Sequence, residues 1–109
     1  MSGEGGNDRE PGTGPASPQG AEVRVLTIVN KKGLHARASA KFCQTVERFD
    51  AAVRVTRGHE TVGGTSIMGL MMLGAATGTT ITVEASGNEA VAAIDALDKL
   101  VSTGFGEED

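Results

Sequence analysis

The sequence predicts an α+β domain, an open-faced sandwich in the order β-α-β-β-α-β-α, with a four-stranded antiparallel sheet and three helices on one face. Three observations lead there. Runs rich in β-branched residues occur at 23–29, 51–57 and 79–85, and the second and third alternate apolar with polar residues. Stretches near 36–49 and 91–101 instead repeat apolar residues every three or four positions, as a helix with one buried face requires. Glycine-rich or polar breaks at 30–33, 58–60, 63–64 and 74–79 separate them.

Taken in order, "VRVLTIV" (23–29) is a first strand with Leu26 and Ile28 inward, ended by the polar "NKKG". The first helix runs from Ala36 to Phe49, with Ser39, Phe42, Val46 and Phe49 on one face and Ala36, Ala40 and Cys43 beside it. "AAVRVTR" (51–57) turns Val53 and Val55 inward, and the "GHE" turn leads into a short third strand at Thr61 and Val62. Ser66 is suited to cap a second helix, "SIMGLMML", which is apolar on nearly every side. A fourth strand, "TTITVEA" (79–85), alternates Ile81, Val83 and Ala85. Ser86 and Glu89 then have the spacing of a capping box for a third helix bearing Val91, Ile94, Leu97 and Val101. Residues 1–21 hold all 3 prolines and have almost nothing to bury, so they read as a disordered Gly/Pro-rich tail, 22–105 as the domain and 106–109 as an acidic C-terminal tail.

Composition excludes several functions. A formal charge of -4 disfavours an electrostatic grip on nucleic acid or an anionic membrane, and 3 Phe with no Tyr or Trp leave little for base stacking. One cysteine makes no internal disulfide and no cysteine-rich zinc site, and the two histidines, His35 and His59, are too isolated for a metal centre. No signal-like or membrane-spanning run is present, so the expected location is cytoplasmic, without nucleic acid, membrane, metal or cofactor. Cys43 is expected to pack as a small hydrophobe, and His59 receives no role.

Against that acidic background, no acid lies between Glu22 and Glu47, whereas Arg24, Lys31, Lys32, Arg37 and Lys41 all do. His35 stands where the first helix begins. Orphan backbone N–H groups and the positive end of the helix dipole favour an anion there. Gly33 permits a tight turn, and Arg37 offers a permanently charged donor fork. Nearby positive charge favours an unprotonated ring whose nitrogen can act as a nucleophile, and the same charges stabilise a phosphoryl group once attached. A histidine among lysines is more often an ordinary solvated residue, so spacing alone does not decide the matter.

"GLHARASA" (33–40) followed by "TSIMGLMMLGA" (65–75) resembles the histidine-containing phosphocarrier HPr family of the bacterial phosphotransferase system, over about residues 22–105. The end of the chain looks more like the nitrogen-related, NPr-like branch. The resemblance implies an HPr-like fold, with His35 accepting phosphate on Nδ1 and Arg37 stabilising the phosphohistidine. It also implies a phosphoenolpyruvate-dependent enzyme I as donor and an enzyme IIA as acceptor, for a monomeric carrier in sugar uptake or in nitrogen and carbon regulation. Such a protein is a phosphorylated intermediate rather than a stand-alone enzyme. Ala38 stands where many relatives have proline. Ser66 matches a regulatory phosphorylation site used in some bacteria by an HPr kinase/phosphorylase, with Thr65 where Lys or Asn is common. Ile67, Met68 and Met71, with Ala40, match the partner-docking face.

Each reading has a plain competitor. Ser66 can be simply a helix cap, and the methionines can be core with Leu70 and Leu73. The alternative function is an HPr-fold regulatory binding module, signalling through Ser66 phosphorylation or through contacts without phosphoryl transfer. A small-ligand or RNA-binding domain would use Lys31 and Lys32, but the scarcity of aromatics opposes it.

Overall fold

The computed structural model describes residues 21–107, so residues 1–20 of the Gly/Pro-rich tail and the last two residues lie outside the described region. Its elements are β1 (Glu22–Thr27), α1 (Ala36–Glu47), β2 (Ala52–Arg57), β3 (Glu60–Gly63), α2 (Ile67–Met72), β4 (Thr80–Ser86) and α3 (Ala90–Ser102), followed by a 3-10 turn at Gly104–Gly106. The strands form one antiparallel sheet in the order β1-β4-β2-β3. This is the open-faced α+β sandwich that the hydrophobic pattern predicts.

Alternation decides which way each strand faces. Leu26 and Ile28, Val53 and Val55, and Ile81, Val83 and Ala85 are buried, while Val23, Val25 and Val29 point the other way and are exposed. The helices cover the inward side: α3 packs on β1 and β4, and α1 packs against α2 and α3. Phe42, Leu70, Ile94, Leu97 and Phe105 complete the core. Each fully buried side chain of this size contributes about 1.5–3 kcal/mol. Register also aligns polar partners across the sheet. Arg54 opposes Glu84 and pairs with it, and Thr56 opposes Thr61 with their hydroxyls 2.8 Å apart.

Three expectations need correction. α1 ends at Glu47, and Phe49 lies in the turn beyond it, half-buried, while Ala36 is exposed. The capping box does not form: Ser86 is the last residue of β4, Glu89 itself occupies the N-cap position without a side-chain cap, and its carboxylate accepts the Asp50 N–H at 2.6 Å instead. The buried stripe of α3 is Ala90, Ala93, Ile94, Leu97 and Val101, so Ile94, Leu97 and Val101 face inward as expected while Val91, one position round from Ala90, is exposed. Arg24 then reaches α3 from the sheet, donating to Asp95 at 2.9 Å and Asp98 at 3.0 Å. Those hydrogen bonds, Asp95 first, hold the guanidinium above its ordinary value.

Candidate functional site

The loop between β1 and α1 delivers the histidine. Gly33 N–H closes a turn onto Asn30 O at 3.2 Å with φ +64, and Leu34 N–H then binds Ala75 O at 3.0 Å. Only glycine fits there, because a Cβ would stand 2.3 Å from that same Ala75 oxygen. Leu34, Ala38 and Ser39 are buried, and Ser39 Oγ donates to Leu34 O at 3.1 Å, which anchors the start of α1 to the core. His35 is therefore held as the N-cap residue, with extended backbone (φ -75, ψ -178).

Its side chain does not cap the helix, and no acid sits in the first turn, so the positive end of α1 faces the ring's surroundings without a neutralising charge on its own helix. His35, Lys32, Arg37 and Lys41 line one cleft of about 590 Å³, with Ala36 and Gly106 in its walls. The predicted pair, His35 and Arg37, thus share a site, with Arg37 exposed and His35 half-buried. The charge is cationic, apart from one residue.

That residue is Glu107. The chain returns after α3, and Glu107 Oε2 lies 2.6 Å from His35 Nε2 while its Oε1 accepts from Asn30 Nδ2 at 3.1 Å. Asn30 also donates to Gly33 O at 2.9 Å, so it ties the turn, the histidine and the chain end together. Both of its partners are acceptors, which fixes the amide orientation and leaves Oδ1 without a partner among the described residues. Burial acts to raise the Glu107 carboxyl, but hydrogen bonds from His35 and Asn30 and the charges of His35 and Lys41 outweigh it and hold the group below its ordinary value. Sequence reasoning missed Glu107 and Asn30. The contact to His35 spans 72 positions, and "GEED" reads as a solvated acidic run; the single Phe between two glycines was the available signal of a folded-back turn.

Ser66 is the N-cap of α2 as expected, its Oγ accepting the Gly69 N–H at 3.0 Å. A Cβ on residue 69 would lie 2.8 Å from that oxygen, so glycine is needed for the close approach. Ser66 and Thr65 are exposed, and Ile67, Met68 and Met71 are exposed at 43%, 67% and 38%, whereas Leu70 and Leu73 are core. The patch is larger than expected, because Met72 is 75% exposed. Ala40, on the neighbouring α1, is half-buried.

The remaining candidates lie elsewhere. His59 is exposed in the β2–β3 turn, and Cys43 is buried, with burial first and the charge of Glu47 second pushing its thiol up. Among the described residues no three His, Cys, Asp or Glu side chains gather as a metal site, and no helix is long and apolar enough to cross a membrane. The arrangement can bind an anion at a helix start, beside an imidazole with one nitrogen engaged by a carboxylate.

Comparison with known proteins agrees with this geometry. The family model described as "PTS HPr component phosphorylation site" matches residues 22–103. The phosphocarrier protein HPr of Neisseria meningitidis serogroup A is 51% identical over 82 residues, covering 75% of this chain and 92% of that protein. The phosphocarrier protein NPr of Shewanella violacea is 42% identical over 84 residues, covering 77% and 92%. Among solved structures, HPr of Thermoanaerobacter tengcongensis superposes with a TM-score of 0.77 at 39% identity, over 81% of this chain and 99% of that one. A contiguous match over every strand and helix, at that identity, places the chain in the HPr/NPr family of phosphocarrier proteins of the phosphotransferase system.

Proposed function

We propose that this protein carries a phosphoryl group on His35, taking it from a phosphoenolpyruvate-dependent enzyme I and passing it to an enzyme IIA in the cytoplasm. The observation that carries the reading is the cleft itself: a part-exposed imidazole at an uncapped helix N-terminus, flanked by Lys32, Arg37 and Lys41. Arg37 neutralises the phosphoryl oxygens, and its planar fork suits two of them at once. A carrier must release its cargo as readily as it accepts it, and an open cleft with exposed Lys32 and Arg37 side chains is suited to that exchange.

Docking falls to α2. Ile67, Met68, Met71 and Met72, with Ala40 beside them on α1, form an apolar surface whose unbranched methionines adapt to partners of different shape. Ser66 starts that helix and serves as a regulatory phosphorylation site, where added charge alters docking next to Ile67 and Met68. The carrier domain is the span 22–105, with Gly106 and Glu107 completing the cleft beside His35, and it acts as a monomer. Incubating the protein with labelled phosphoenolpyruvate, enzyme I and an enzyme IIA tests the reading. Label should pass through wild type to the enzyme IIA and should stop at enzyme I when His35→Ala replaces it. Equal transfer by both proteins refutes the assignment.

A further inference from the structure

Three consecutive residues after α3 occupy the left-handed region of backbone space: Gly104 (φ 65), Phe105 (φ 60) and Gly106 (φ 72). For a bulky residue such as Phe105 that conformation is unfavourable and persists only where surrounding contacts impose it. Those contacts are visible. The Phe105 side chain is 1% exposed, in the core, and Lys41 Nζ donates to its carbonyl at 2.7 Å. The turn closes with Gly106 N–H on Thr103 O and Glu107 N–H on Gly104 O, each at 3.1 Å. Glu107 is thereby held at a fixed reach from His35, with both carboxylate oxygens engaged, one by Nε2 of the ring and one by Asn30, itself only 2% exposed. This residue lies beyond the segment that the family model matches.

An ionised carboxylate only accepts hydrogen bonds, so the ring nitrogen 2.6 Å from it must carry the proton. We propose that Glu107 is a positioning residue that fixes the neutral His35 ring in its Nε2–H tautomer, leaving the lone pair of Nδ1 to take the phosphoryl group. The proposal rests on the reading of His35 as phosphoryl acceptor. In the transfer, Nδ1 forms the bond to phosphorus as the phosphodonor's bond to phosphorus breaks and its electron pair stays with the donor. No proton leaves the ring: Nε2 keeps its hydrogen, and the positive charge that the ring acquires faces the Glu107 carboxylate. The cations around the site, Lys32, Arg37 and Lys41, face the other partner, the phosphoryl oxygens, except that Lys41 also holds the Phe105 carbonyl.

Glutamine at position 107 gives the sharpest test. Asn30 is pinned by Gly33 O with its amide N–H toward residue 107, so a glutamine must turn its carbonyl to Asn30 and its own N–H group to His35 Nε2. That arrangement favours the opposite tautomer. The readout is the pair of ring 15N shifts and the two-bond proton couplings of the full-length, unphosphorylated protein, at a pH where the ring is neutral. Wild type should be chiefly Nε2–H, by roughly ten-fold or more, the equivalent of one charge-assisted hydrogen bond. Glu107→Gln should be chiefly Nδ1–H, Glu107→Ala should lie between, and phosphoryl transfer from phosphorylated enzyme I should slow in the same order. A wild-type ring chiefly in the Nδ1–H form, or a tautomer balance unmoved by Glu107→Gln, overturns the proposal. If the ring responds as expected yet wild-type His35 takes no phosphoryl group from a competent donor, the carrier reading fails, and with it the positioning role.

Discussion

Replacing Gly33 with alanine tests how the site is held in place. Residue 33 has φ +64, where a non-glycine residue costs about 1–2 kcal/mol. The new Cβ would also stand 2.3 Å from Ala75 O and 3.0 Å from Ala76 Cα, both backbone atoms that no rotamer change can move. Relief requires the 33–34 segment to shift away, which breaks the buried Leu34 N–H to Ala75 O bond at a further cost of about 1–3 kcal/mol. The sum is about 2–5 kcal/mol. Gly58 supplies the control, since it has nearly the same φ, +63, but nothing within 4 Å of an added Cβ, so Gly58→Ala should lose only the first part. Urea unfolding of both variants, compared at their midpoints with the slopes checked for constancy, separates the two contributions. Equal destabilisation in the pair would refute the close-approach argument. Because residue 33 lies two positions before His35, Gly33→Ala should also depress phosphoryl acceptance about 100-fold, as misplacement of a reacting group by about 1 Å does.

Other outcomes follow from the same contacts. Arg37→Ala should slow phosphoryl transfer by about 10²–10³ while changing stability by no more than about 0.5 kcal/mol, since the side chain is exposed; unchanged transfer kinetics would remove its role. Ser66→Asp should weaken enzyme I binding in calorimetric titration by placing charge beside Ile67 and Met68, and an unaltered Kd would count against α2 as the docking face. The Glu107 carboxyl is held below its ordinary value, so the unfolded chain binds its proton more readily; its contribution to stability is complete above the ordinary carboxylate range and is lost as pH falls through the lower folded value. Wild type should therefore lose more stability than Glu107→Gln between neutral and acidic pH, and parallel pH curves would contradict that linkage. Cys43, buried and with its thiol pushed up, should react with a thiol reagent at neutral pH only after unfolding; rapid labelling of the native protein would show the core to be more open.

What the sequence discloses and what it conceals divide by distance along the chain. Leu26, Val53, Val55, Ile81 and Val83 are legible as inward residues because alternation is a local property that the sheet merely uses. Ser66 is legible as a cap because its partner, Gly69, is three residues away. The Ser86 and Glu89 pair has the same local look and fails, because Glu89 meets the Asp50 N–H, a competing partner from 39 positions earlier. Val91 fails as well, because packing of α3 on β1 and β4 completes the stripe of Ile94, Leu97 and Val101 with Ala90 and Ala93 instead. At the site, the basic cluster and His35 could be read in one short segment, whereas Glu107 reaches the ring only once α3 has packed and Phe105 has entered the core.

The measurement that tests the account most directly is phosphorus NMR and mass spectrometry of wild type and His35→Ala after incubation with phosphoenolpyruvate and a purified, competent enzyme I. The account predicts one acid-labile phosphoramidate signal and one added phosphoryl group in wild type, and neither in the variant. An unmodified wild-type protein, or modification that persists without His35, would contradict it and leave the regulatory binding module as the better description.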